Sequence, residues 1–255
     1  ANAARFLLEN LRREDGRLLH SWRSGQARID AYLDDHANLI NALVTLYEQD
    51  FDETWIDEAV ELADMVLEHF RDNDEGGFFY TADDHEELIT RIKDTFDNAT
   101  PSSNAMTATA LLRLGKLCGN TSYLQAAAET LQLVTGVMER SAIAGSQSLL
   151  ALDMQIGPTP EIVILGHPDD PTTGELLENL RRRYLPNRIL CNRGPDQAGG
   201  SVHLQEIFSG KQTGSEPTTV FVCENFTCQA PVTGKAAIRE TWDRLAAHHV
   251  EPGSH

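Results

Sequence analysis

The strongest constraint on this chain is that part of it is written twice. LVTLYEQDFDETWIDEA from Leu43 and LLRLGKLCGNTSYLQAA from Leu111 superpose 68 positions apart. Leu43 matches Leu111, Leu46 matches Leu114, Trp55 matches Tyr123, Ile56 matches Leu124 and Ala59 matches Ala127. In each copy a helix ends, a polar turn follows and a second helix opens on an aromatic, which makes a repeated αα-hairpin. The helices also alternate in character. Residues 36–48 and 104–117 are apolar on nearly all sides, as helices buried between two layers must be. Residues 3–14, 53–71 and 121–139 carry an apolar stripe and a charged face, and a short apolar helix is expected near 145–154. Alternating inner and outer helices predict a mainly α fold, a partial toroid of helical hairpins over residues 1–157. A stack of tetratricopeptide-like repeats competes, but the 68-residue period is longer than the ~34 of that repeat.

Two segments break the helical pattern. In the 70–101 excursion, Gly76-Gly77 precedes three aromatics and predicts a turn into a short strand, hence a small β-hairpin over one end of the helices. After Gly157, Pro158 and Pro160 mark a boundary. EIVILG reads as a strand, PTTGELLENLRRRYLP as a helix with Pro171 near its start, and RILCNRG and TTVFVCEN as further strands. GKAAIRETWDRLAAHH closes the string as a helix. That order predicts a small α/β segment over 158–255, packed on the helical domain.

Charge limits the partners. The formal net charge is −18 and the isoelectric point about 4.8. A nucleic-acid binder needs a basic footprint to displace counterions, so that class is excluded. Docking on an anionic membrane is excluded for the same reason, and no apolar run approaches the ~20 residues of a membrane helix. The opening ANAARFLLENLRRED reads as an amphipathic helix without the apolar stretch of a secretory signal. Four cysteines, Cys118, Cys191, Cys223 and Cys228, are too few for a disulfide framework at this length, which favours a reducing, cytoplasmic setting.

The most chemically suggestive stretch is 93–104, KDTFDNATPSSN, which runs directly into the apolar helix at 104–117. A helix start preceded by carboxylates, a Pro and two Ser is expected to present unpaired N–H groups to a polar cavity. Arg91, Lys93, Asp94, Asp97, Ser102 and Asn104 form one candidate constellation, against a plain network in which Asp97 turns the loop and Ser102 caps. Asp34-Asp35-His36 forms a second at the other inner helix, where an ordinary N-cap is the simpler account. Trp22-Arg23 is a third, an aromatic beside a cation, with packing of Trp22 between helices as the plainer reading. Cys223 and Cys228 are a weak metal signal. The expectation is a buried strand cysteine and a turn cysteine, with no metal and no bridge.

Four segments together carry a resemblance: YLDDHANLINALVTLYEQDFDETWIDEA, GGFFYT, the run from Lys93-Asp94 to PSSNA, and VFVCENFTCQAPVT. Over about 18–238 the chain resembles the C-terminal portion of the spermatogenesis-associated protein 20 family, whose bacterial members are described as thioredoxin-domain proteins. The resemblance implies a domain similar to the six-hairpin (α/α)6 toroids of glycosidases and N-acylglucosamine 2-epimerases, preceded by a thioredoxin-like domain. This chain has no Cys-x-x-Cys motif and about half the helices of a full toroid. Where the family reads aspartate-tyrosine-alanine, this chain has Asp35-His36-Ala37.

On that resemblance a carbohydrate site is expected at one end of the inner helices. Asp35 and Asp97 are its catalytic carboxylates. Trp22, Arg23, His36, Arg91, Lys93, Asp94, Ser102 and Asn104 are its substrate contacts, with Arg91 and Lys93 as charge clamps and no cofactor or metal. A non-catalytic scaffold that partners a thioredoxin-like domain is the rival. The expected partners are a sugar and, because half a toroid leaves an apolar flank, a second copy of the chain or the N-terminal half of the same protein.

Overall fold

The computed structural model describes residues 1–85, 90–195, 200–225 and 227–248. It is mainly α, with two small sheets. The chain divides into two compact units, Ala1–Gly157 and Pro158–His255.

The first unit is built from hairpins of helices. α1 (Asn2–Asn10) precedes a two-stranded hairpin, β1 (Leu19–Arg23) and β2 (Gln26–Asp30), joined at Ser24-Gly25. Both turn residues have positive φ, the conformation a two-residue hairpin turn demands. Then come α2 (Leu33–Asp50) and α3 (Thr54–His69), followed by an irregular excursion. α4 (Ser103–Cys118) and α5 (Thr121–Leu133) form the second hairpin. α6 (Thr135–Arg140) and α7 (Ser146–Ile156) close the unit. The stretch expected as one helix over 121–139 breaks at Val134.

The repeat extends into backbone detail. α2 ends on Phe51 with φ 58° and α4 on Gly119 with φ 66°, both left-handed. Their N–H groups donate to Tyr47 O and Gly115 O. The two caps sit at equivalent repeat positions, so Phe51 and Gly119 solve one geometric problem with different residues.

α4 is the central helix, with 13 of its 16 residues buried. It packs against α2, α5 and α7. The expected contrast is large for 104–117 against 121–139, with 12 of 14 residues buried against 7 of 19, and small for 36–48 against 53–71, with 8 of 13 against 10 of 19. Asn38, Ala42 and Thr45 of α2 face solvent, because no further inner helix packs on that side among the described residues.

The β-hairpin expected within 70–101 is absent among the described residues, and 86–89 lie outside them. A single bridge pairs Arg71 with Phe78. The segment is held by side chains instead. Asn104 Nδ2 donates to Phe78 O at 2.9 Å and Phe78 N donates back to Asn104 Oδ1 at 2.8 Å. Gly77, φ 72°, lies against that amide, and a Cβ there would sit 3.0 Å from Asn104 Oδ1 and 2.5 Å from Leu133 Cδ2.

In the second unit β3 (Glu161–Leu165) pairs in parallel with β4 (Ile189–Arg193) across α8 (Pro171–Arg181). A short 3₁₀ turn and α9 (Gln205–Phe208) follow. β5 (Thr219–Glu224) runs antiparallel to β3, with β6 (Thr227–Cys228) and β7 (Val232–Thr233) both paired to β5. β3 is buried along its whole length, as a strand covered on both faces must be. α10 (Lys235–His248) packs on α8, where buried Trp242 donates from Nε1 to Leu176 O at 3.3 Å.

Cys223 and Cys228 form a disulfide, which corrects the expectation of two unbridged cysteines. Cys228 belongs to β6 and not to a turn, and it lies directly opposite Cys223 in the ladder. A separation of five in sequence conceals that adjacency until the hairpin is known. Cys118 and Cys191 are not disulfide-bonded.

Candidate functional site

The N-terminal end of α4 is closed, contrary to the expectation of unpaired N–H groups. Ser103 N donates to Asp94 Oδ2 at 2.8 Å and Asn104 N to Asp94 O at 3.3 Å. Ala105 N donates to Ser102 Oγ at 3.2 Å and Met106 N to Ser102 O at 3.0 Å. Asp97 is equally occupied, accepting from Ser102 N at 2.8 Å and from Gln147 N at 2.7 Å. The acidic run folds back over the helix start and satisfies it, as caps do.

The two expected charge clamps are struts of the excursion. Lys93 Nζ lies 2.7 Å from Asp72 Oδ2 and donates to Gly76 O at 2.7 Å, and it holds the Asp72 carboxyl down at about 2. Arg91 donates to Thr81 O and His69 O, and its guanidinium lies 4.1 Å from the Phe79 ring centroid. His36 is 1% exposed. Its Nδ1 is 2.9 Å from Tyr32 O, and its Nε2 accepts from Leu18 N at 3.4 Å, so the ring is the neutral Nδ1–H tautomer. Burial lowers its pKa from the ordinary histidine value. Trp22 packs edge-to-face on Phe6 at 5.5 Å, on the β1–β2 hairpin and not between helices, and Arg23 is exposed at the hairpin's tip.

What remains open lies at the start of α2. Asp35 accepts from Tyr32 N at 2.9 Å and meets His20 Nδ1 at 2.8 Å. Its neighbour Asp34 is different. Burial, and then the charge of Asp35, raise the Asp34 carboxyl above the ordinary range, although the Tyr80 hydroxyl donates to it. Tyr80 is itself pushed up to about 12 by burial, by Asp34, and more weakly by Asp35 and Asp94, so it remains a donor. The Tyr32 ring stacks on Tyr80 at 4.9 Å and on His85 at 5.6 Å, with His20 edge-on at 5.4 Å. Neither ring nitrogen of His85 has a partner among the described residues. The adjoining cleft between Arg17, His36, Phe70 and His85 holds about 10 Å³, room for about one water.

Asp34, Asp35 and Asp94 therefore share one neighbourhood with Tyr80, and Asp97 is committed to the α4–α7 junction. The Asp-Asp pair was visible in sequence. Tyr32, Tyr80 and His85 were not, because their stacking depends on the excursion returning to α2 through Leu33 N to Tyr80 O at 3.0 Å. His69, Asp83 and Asp84 bring ligand-type atoms within 4.8 Å of one another. Each is already paired there, His69 with Asp83 at 2.9 Å and Asp84 with Arg17, so the group is an ion-pair network.

No protein-family profile matches the chain. Curated relatives do. Spermatogenesis-associated protein 20 of Rattus norvegicus is 30% identical over 210 residues, 82% of this chain. The Mus musculus and Homo sapiens proteins of the same name are each 29% identical over the same share. The chain belongs to the spermatogenesis-associated protein 20 family. The matched segment spans 27% of the length of these relatives, so it is similar to about a quarter of each.

Proposed function

We propose that this chain is a C-terminal portion of its family's architecture, an arc of a six-hairpin (α/α)6-type domain, and that it binds or processes a carbohydrate at the α2 end. Two features support the arc. The inner helices α2, α4 and α7 pack in series, and the repeat reproduces its caps and its pinning side chains. Further hairpins are taken to come from the same protein or from a second copy, beside the outward Asn38, Ala42 and Thr45 of α2.

The single observation that carries the carbohydrate reading is Asp34. It is a part-buried carboxyl with its pKa raised, held by Tyr80 and flanked by Asp35. A carboxyl tuned upward beside other carboxyl groups is the arrangement that general acid–base chemistry on sugars uses. Asp34 is the proton donor in this reading and Asp94 the second carboxylate. Asp35 and Asp97 position backbone.

Calorimetry with a panel of mono- and disaccharides tests it, on the wild type, Asp34→Asn and Tyr80→Phe. Binding of one sugar class, weakened about tenfold or more by either change, is the expected result. A sugar that binds all three proteins equally would reject the Asp34 site. The scaffold reading is favoured by one observation, the fully capped start of α4, and it gains if no sugar binds the wild type.

A further inference from the structure

We propose that Cys223–Cys228 is an exchangeable disulfide, a site at which a small or protein-borne dithiol reduces this chain and an oxidised one closes it again. The inference is independent of the carbohydrate reading and rests on the second unit alone.

The bridge does little as a staple. Its cysteines are five apart in sequence and already opposite each other in the β5–β6 ladder. A loop this short removes little chain entropy from the unfolded state. β5 is held independently by five residue pairs with β3 and by β7, and Gln229 N donates to Val222 O at 3.0 Å beside the bridge. Opening the bond therefore releases a two-residue edge strand and leaves the sheet intact.

Access is asymmetric in the way exchange requires. Cys223 is 3% exposed and Cys228 is exposed on β6. Cys223 borders a cavity of about 600 Å³ whose lining includes Pro158, Pro160, Glu224, Gln229, Arg244 and Leu245. An incoming thiolate reaches Cys228 from the exposed side of β6, and the departing Cys223 thiolate borders the cavity, where the Arg244 guanidinium supplies positive charge beside Glu224. The other two cysteines lack these conditions. Cys191 is buried, and burial, then the charges of Asp57 and Asp64, disfavour the Cys118 thiolate.

The step balances as ordinary exchange. A thiolate of the dithiol attacks Cys228 Sγ, forming a mixed disulfide as the Cys223–Cys228 bond breaks and Cys223 leaves as a thiolate that takes up a proton. The second thiol of the reagent, on losing its proton, attacks the mixed disulfide and releases the Cys228 thiolate, which is protonated. The dithiol is oxidised by two electrons and the protein bridge is reduced by two.

The test uses the whole native chain with dithiothreitol, without denaturant, followed by acid quenching, alkylation and peptide mapping. The expected result is reduction confined to Cys223 and Cys228, at a rate within about tenfold of that for oxidised glutathione as a reference disulfide. The helical content should not change. Oxidised glutathione should restore the bridge. Arg244→Gln, on the exposed side of α10, is expected to slow exchange by about threefold or more with no change in melting temperature. A bridge that opens only when denaturant is added is a structural staple, and that result overturns the proposal. So do cysteines that never pair under oxidising conditions, or an Arg244→Gln rate equal to wild type.

Discussion

Asp34 is held against its own preference. Burial and the neighbouring Asp35 disfavour its charged form, so at neutral pH the carboxylate costs the fold stability. A carboxyl whose folded pKa is raised stabilises the fold below its unfolded value, near 3.8, and loses that contribution as pH rises through the folded value. Asp34→Asn keeps an acceptor for Tyr80 and should therefore raise the melting temperature at pH 7, with the gain shrinking toward pH 3. Thermal melts across that range check it, and a lower melting temperature at pH 7 would reject the strained-carboxyl account. Asp97→Asn should do the reverse. Its two oxygens serve two backbone donors, an amide serves one, and a loss of about 1–2 kcal/mol is expected with no effect on any Asp34-dependent ligand. His36 gives a third signature. Its lowered folded pKa means stability is full above about 6.5 and falls as pH drops below that value toward the folded one. His36→Gln should flatten that limb of the stability–pH curve, and an unchanged curve would show that another group titrates there.

At the scale of elements, the sequence repeat carried more information than its matched letters. His36 and Asn104 are also 68 apart, and each is a buried first-turn residue pinning the backbone of the segment before its helix, Leu18 in one case and Phe78 in the other. The isolated bridges Arg12–Leu18 and Arg71–Phe78 mark the same place in the two copies. Helix positions were legible because apolar periodicity is local. The β1–β2 hairpin was not read from LLHSWRSGQARID, although Ser24-Gly25 is a turn pair, because both strands are mostly exposed and show little hydrophobic alternation. The open site was half legible for a related reason: two adjacent aspartates can be seen in a string, but which of them caps and which is left raised depends on Tyr80. Between the two repeats, Arg113 reaches from α4 to Glu48 at 2.9 Å and to Asn41 and Thr45 of α2. The pair is largely removed from solvent, so Glu48→Gln or Arg113→Met alone should cost about 3–5 kcal/mol, with strong coupling in a double-mutant cycle. Additive losses would mean the two helices are held by apolar packing alone.

At the scale of the whole molecule, the division at Gly157 separates two kinds of core. The first unit is centred on α4, with Leu111, Leu112, Leu114 and Leu117 all at or below 2% exposure. The second is centred on β3 and on Trp242, which is fully buried against α8. The residues argued above fall to one side or the other of that division. Cooperativity should follow that division, since two-state unfolding is a property of single domains and fails for chains with two. Differential scanning calorimetry of the intact chain is expected to show two transitions. Gly119→Ala, which puts a side chain on a φ of 66°, should lower only one of them, by the order of 1 kcal/mol. Trp242→Ala, which empties the core of the second unit, should lower only the other. A single transition displaced by both changes would mean that the units unfold as one body, and the arc and the α/β segment would then have to be treated as one cooperative fold.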